Sequence, residues 1–383
     1  QDLNGSEIKA YLHWVLLYQS APFLNQEIRL ARARFEKSLD QRKHPEPINV
    51  ELSRIIRQEM PEIINTLYLD CYFPDSTRNQ TDLIIEKLSQ AFQHQIQAST
   101  WLSTRVKKRY IRKIQNMRFK IGGPSSIPTY PDLHNFTGSY IEYLFKIRES
   151  LNRAYIKKAG TVIRDEDWFI TAYSLNFWYS TSKNTITLPG ATINELLHPT
   201  DPAVSYGMLG ASIGHEMSHA LDPFGRKYDE WGQRQSWWVS ATDWLFRNQG
   251  EYDTRSGKLR DHYWQFQVSD SINVNGDATL DENVADLVGL AIAYDAYMLS
   301  LDGHPSPVIE GLTGEQRFFI AYAQKWREVL SDKMLARQAL GPHSPPRFRT
   351  NGVVYNSPDF YKAFNLSRND KTFQDSTQLI SIW

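Results

Sequence analysis

The chain has 383 residues, 43 basic and 43 acidic side chains and no net charge at neutral pH, so its electrostatics give no argument for nucleic acid or an anionic membrane as partner. Its hydrophobic content of 41%, with 11 Trp, 20 Tyr and 18 Phe, is ample for a packed core in one large domain or two. No run approaches a membrane span, since Val15-Leu16-Leu17-Tyr18 is broken by His13 and followed by Pro22. The single cysteine, Cys71, forms no intrachain disulfide.

Residues 1 to about 120 are charge-rich with helical spacing, as in Ile84, Leu88, Phe92 and Ile96, and breaks at Pro22, Pro45 to Pro47 and Pro74. Gly122-Gly123-Pro124 through Pro128 and Pro131 reads as a linker, and another helix follows it. Residues 174–180, a polar turn at 181–184 and residues 185–188 read as strand, turn and strand. A free edge on that pair would let an extended peptide add its own backbone hydrogen bonds, with Asn176 the better placed polar group. Trp178 and Tyr179 suit a core equally well. Residues 206–214 are small and apolar, the composition of a buried helix packed closely on its neighbours.

That helix runs into His215-Glu216-Met217-Ser218-His219. Residues four apart share a helix face, so both imidazoles can reach one metal ion while Glu216 points into the same space. With His this scarce, the pattern is expected by accident on the order of 0.01 times in such a chain, which makes the match informative. A catalytic zinc site needs a third protein ligand and an open position for water. Glu282 and Asp286, four apart on a helical stretch whose remaining surface is Val284, Leu287, Val288 and Leu290, meet that need. Glu282 is assigned to the metal and Asp286 to the second ring N–H of His215, with Asp222 as a further partner for a ligand imidazole. Taken alone, Glu282 and Asp286 are also what a helix N-terminus favours through its dipole.

Residues 214–222 followed by Glu282-Asn283-Val284-Ala285-Asp286 resemble the H-E-x-x-H and E-N-x-x-D pair of the neprilysin family of zinc metallopeptidases. Further resemblances are strung along the chain from about Ile8: Leu175-Asn176-Phe177-Trp178-Tyr179, Leu188-Pro189-Gly190, Trp237-Trp238, Gln316-Arg317-Phe318-Phe319, His343-Ser344-Pro345, Phe348-Arg349 and Ile382-Trp383. The resemblance implies a mainly α fold with a small β-sheet (α+β). It implies a thermolysin-like zincin catalytic domain of the gluzincin type at 138–383, and part of a helical cap lobe with its linker at 1–137. The implied function is a zinc-dependent endopeptidase or oligopeptidase that cuts internal bonds of small peptides, with one Zn2+ per chain. Its implied ligands are His215, His219 and Glu282, with Glu216 as general base and Asp286 in support. His343 matches the residue that stabilises the oxyanion, and Asn176, with Phe177 beside it, and Arg349 match the substrate-holding positions.

Phe177 and Ser212 depart from the family's usual Ala and bulky aliphatic residue, and Pro223 stands where a second acid is common. The usual preference for large apolar residues after the cut is therefore not carried over. The chain lacks roughly the first half of a family ectodomain, from which a separate or removed N-terminal polypeptide completing the cap is expected. The lack of cystines points to a bacterial or archaeal cytoplasmic, periplasmic or secreted protein rather than a disulfide-bonded animal ectodomain. The competing function is a peptide-sequestering relative that keeps the zinc fold without turnover; the joint presence of Glu216, His343 and Arg349 argues against it.

Overall fold

A computed structural model describes residues 4–39, 47–124, 137–161, 168–234, 243–370, 372–375 and 377–383. The expected Pro45 break, the linker from 125 to 131 and the Trp237-Trp238 pair lie outside the described residues. The chain is mainly helical, with few strands, and it groups by contact into two units, 1–68 with 124–171 and 69–123 with 172–383.

The first unit is built of helices, among them Gly5–Ser20, Gln26–Leu39, Ile48–Glu59 and Tyr140–Lys158. Asn4 caps the first of these, accepting from the Ser6 and Glu7 N–H groups while Glu7 accepts from Asn4 N–H. Tyr18 Oη donates to Glu36 at 2.7 Å and lies under the Arg32 guanidinium, which pairs with the same carboxylate. The buried Glu59 is held by a two-pronged Arg148 at 2.8 and 2.5 Å.

The second unit holds the H-E-x-x-H segment. Ile84, Leu88, Phe92 and Ile96 form the buried stripe of the Asp75–Ala98 helix, and that stripe packs on the Leu280–Ser300 helix. The division expected at 137/138 separates these two helices, whereas their contacts put residues 69–123 with the later chain. A three-stranded sheet has the order β1 (Arg118–Gly122), β3 (Thr185–Pro189), β2 (Trp178–Ser180). β1 runs parallel to β3, with Phe119 beside Ile186, and β2 runs antiparallel to it, with Tyr179 beside Ile186. The turn between β2 and β3 is closed by Asn184 in the left-handed region, its side chain accepting from Tyr179 Oη and donating to Lys113 O. β1 is the element that the sequence did not announce, falling between a helical stretch and a glycine pair. β2 is shorter than the strand expected from 174. It is one of the two outer strands and packs on the Ala211–Ser218 helix.

Candidate metal and peptidase site

The site is set where the Ala211–Ser218 helix crosses the Leu280–Ser300 helix. A Cβ on Gly214 would stand 2.7 Å from Gly289 O, and one on Gly289 would stand 2.5 Å from His215 N. No side chain separates the two backbones, so His215 meets the face that carries Glu282 and Asp286. A π-helical turn at Tyr206–Gly210 leads into the first helix, an irregularity frequent next to functional residues.

Asp286 Oδ1 accepts from His215 Nδ1 at 2.8 Å, and Asp222 Oδ2 accepts from His219 Nδ1 at 2.7 Å. An ionised carboxylate only accepts, so each Asp keeps the proton on Nδ1 and leaves an Nε2 lone pair. Those two Nε2 atoms face each other at 3.1 Å. Glu282 Oε2 lies 3.1 Å from His215 Nε2, 3.8 Å from His219 Nε2 and 3.1 Å from His343 Nε2. The same oxygen is buried with no directed hydrogen bond. Donor atoms of His215, Glu216 and His219 also fall within 4.8 Å of one another.

Two imidazoles and a carboxylate, with lone pairs turned on one point, are the His2Glu donor set of catalytic zinc, and bonds of about 2.0–2.2 Å in a tetrahedron separate donors by roughly 3.3 Å. The residues therefore fit a zinc ion. Charge agrees with geometry. Burial would lower the His219 ring, but the Asp222 hydrogen bond and the Glu216 charge push it up to about 9. Burial would raise Glu282, yet its contacts with His215 and His343 hold it well below the usual carboxylate range. The carboxylates around His219 thus favour positive charge at this point, the place that a metal cation would take.

Asp286 has a second partner. Arg349 grips it through Nε at 2.6 Å and Nη2 at 2.7 Å, and the guanidinium lies 4.0 Å from the Trp326 ring centroid. Burial would raise this carboxyl, but the Arg349 and His215 charges hold it well below its ordinary range. Arg349 is thus tied first to the carboxylate that holds His215, and it also lines a cavity. His343 is half exposed at the open side of Glu282. Its segment is anchored by Ser344 Oγ, which donates to Asn283 Oδ1 at 2.8 Å. Asn283 is fully buried and donates in turn to Thr279 Oγ1.

Asn176 is exposed two residues before β2, whereas Phe177 is 5% exposed and belongs to the core. Alternation along the strand turns Phe177 and Tyr179 inward and leaves Trp178 half exposed. Phe177 therefore packs instead of presenting its ring to substrate. One contributor had no sequence signal. Lys113 donates to the carbonyls of Ala220, Gly225 and Tyr228, each at 2.8 Å, and so pins the turn that carries Asp222. Asn283 was legible only as the Asn of the E-N-x-x-D resemblance, without its anchoring bond to Ser344.

The family model described as Peptidase family M13 matches residues 176–380, and a second model with the same description matches residues 2–124. Neprilysin-2 of Caenorhabditis elegans is 30% identical over 325 residues, covering 81% of this chain and 43% of that protein. Membrane metallo-endopeptidase-like 1 of Mus musculus is 28% identical over 388 residues, covering 95% of this chain and 49% of the mouse protein. The chain spans about half the length of the curated relatives it matches. Among solved structures, the inhibitor complex of the Mycobacterium tuberculosis zinc metalloprotease ZMP1 matches with a TM-score of 0.83 and 30% identity, over 100% of this chain and 58% of that one. PepO of Lactobacillus rhamnosis shares the fold, with a TM-score of 0.77 at 24% identity, over 96% of this chain and 56% of that one. The expected separate N-terminal polypeptide gains no support, because residues 2–124 of this same chain already match the second model. No helix among the described residues is long and apolar enough to cross a membrane.

Proposed function

The chain belongs to peptidase family M13, and on that premise we propose that it is a zinc-dependent endopeptidase or oligopeptidase hydrolysing internal bonds of small peptides. The observation that carries this reading is the meeting of His215 Nε2, His219 Nε2 and Glu282 Oε2 beside Glu216. These three side chains would hold one zinc ion. Zinc in such a set supplies Lewis acidity and brings water deprotonation near neutral pH.

Glu216 takes a proton from the attacking water and returns it to the leaving amine, the work of a general base turned acid. Asp286 and Asp222 keep the two ligand rings in the Nδ1–H tautomer. His343, steadied through the Ser344–Asn283 bond, offers a donor to the charge that develops on the carbonyl oxygen. Arg349, fixed by Asp286 and Trp326, offers a remaining N–H donor to a substrate carbonyl. Asn176 at the head of β2 gives an extended peptide a polar contact at the sheet edge.

The test is metal analysis of purified protein combined with mass-spectrometric mapping of cuts in a mixed peptide library, for wild type and Glu216→Gln. Internal cuts by zinc-bearing wild type, lost in the variant, are expected. Equal rates for the two proteins would overturn the assignment.

A further inference from the structure

Beside the proposed reaction centre lies a cavity of about 590 Å³, walled by Lys325, Trp326, Gln338, His343 and Arg349 among others. Two cations share the Trp326 ring, with Arg349 Cζ 4.0 Å and Lys325 Nζ 4.3 Å from its centroid. Arg349 has a counter-charge in Asp286. Lys325 has none: no carboxylate of the described residues lies within ion-pair distance, although Glu328 is on the same wall. Lys325 is partly buried, and an ammonium partly withdrawn from water with an aromatic face and no carboxylate against it is poorly compensated. Burial, and then the Arg349 charge, push Lys325 down to about 7, against the pull of Asp286 and Glu216. Gln338 Oε1, on the same wall, is buried without a hydrogen-bond donor. The cavity therefore lacks an anion for Lys325 and an N–H for Gln338, and a peptide carrying a carboxylate supplies both.

We infer that Lys325 is a specificity-determining residue that receives a substrate carboxylate, either an acidic side chain next to the scissile bond or the peptide's own C-terminus. The inference rests on the peptidase reading above. Where water is partly excluded, the attraction between ammonium and carboxylate is stronger than on an open surface. It acts on ground state and transition state alike, so its loss is read mainly in KM.

The test uses peptide pairs that differ by Glu against Gln at each position around a mapped cut, and by free acid against amide at the C-terminus. Wild type, Lys325→Arg, Lys325→Met and Lys325→Glu are compared by kcat/KM. In wild type one carboxylate arm should be favoured about tenfold over its neutral twin. The arginine variant should keep that ratio, the methionine variant should lose it, and the glutamate variant should invert it. Each ratio is taken on one preparation, so a partly misfolded variant does not distort it. Calorimetric titration of the same pairs into Glu216→Gln should give the same order of affinities without turnover. The arm that responds tells side chain from terminus. Ratios of one on both arms in wild type, or a ratio that survives in Lys325→Met, would overturn the inference and leave peptide hydrolysis standing. No cleavage of any pair by zinc-loaded wild type would overturn the peptidase reading and this inference with it.

Discussion

The Gly5–Ser20 and Ala211–Ser218 helices are specified in opposite ways. The first carries its instructions locally, in the reciprocal Asn4 and Glu7 hydrogen bonds, yet no residue in it is buried, and Tyr11 and Leu17 stand about 60% exposed. The second has no side-chain cap, and every one of its residues is buried. Local signals decide that a helix forms. Only packing decides where its side chains stand, and a metal site needs donor atoms placed to within tenths of an ångström.

The largest expected effect attacks the packed helix at its chemistry. Glu216→Gln should cut kcat by about 100- to 10,000-fold, while zinc content by elemental analysis stays at the wild-type level. Lys113→Met comes next: it strands three carbonyls, two of them in buried bonds, below the turn that carries Asp222 and should cost about 3 kcal/mol in denaturant titration. If stability were unchanged, the turn would owe nothing to that ammonium. Gly289→Ala tests the backbone crossing. Overpacking of this kind costs about 1–3 kcal/mol, and the displaced His215 should weaken zinc retention in competition with a chelator; full retention would mean that the crossing tolerates a methyl group. Smallest is Asn4→Ala, expected to remove about 1 kcal/mol or less of helix stability and to leave peptide hydrolysis as it was, read by circular dichroism and the standard assay.

The same contrast explains how much was legible beforehand. Periodicity disclosed the Asp75–Ala98 stripe, and the i,i+4 spacing put His215 with His219 and Glu282 with Asp286, because these are properties of one helix. The His215–Asp286 and His219–Asp222 hydrogen bonds stand where simple histidine chemistry puts them. What stayed hidden depends on elements distant in sequence. β1 is five residues long and gains its partner 67 positions later, Arg118 lying beside Thr185. Phe177, expected beside Asn176 among the substrate-holding positions, is buried in the core. The grip of Lys113 on residues 220–228 spans more than 100 positions and has no local pattern. Arg349 could be chosen from the sequence, but its engagement with Asp286 could not, since the two residues lie 63 positions apart and each is assigned another partner there.

The contact between Gly214 and Gly289 has a mechanical consequence. Spacing between the two ligand-bearing segments is fixed by main-chain radius, a dimension common to all residues, and not by rotamers that can relax. Repacking elsewhere in the hydrophobic interior can therefore be absorbed without stretching the coordination triangle, as a hinge pin holds two plates in register while the plates themselves flex.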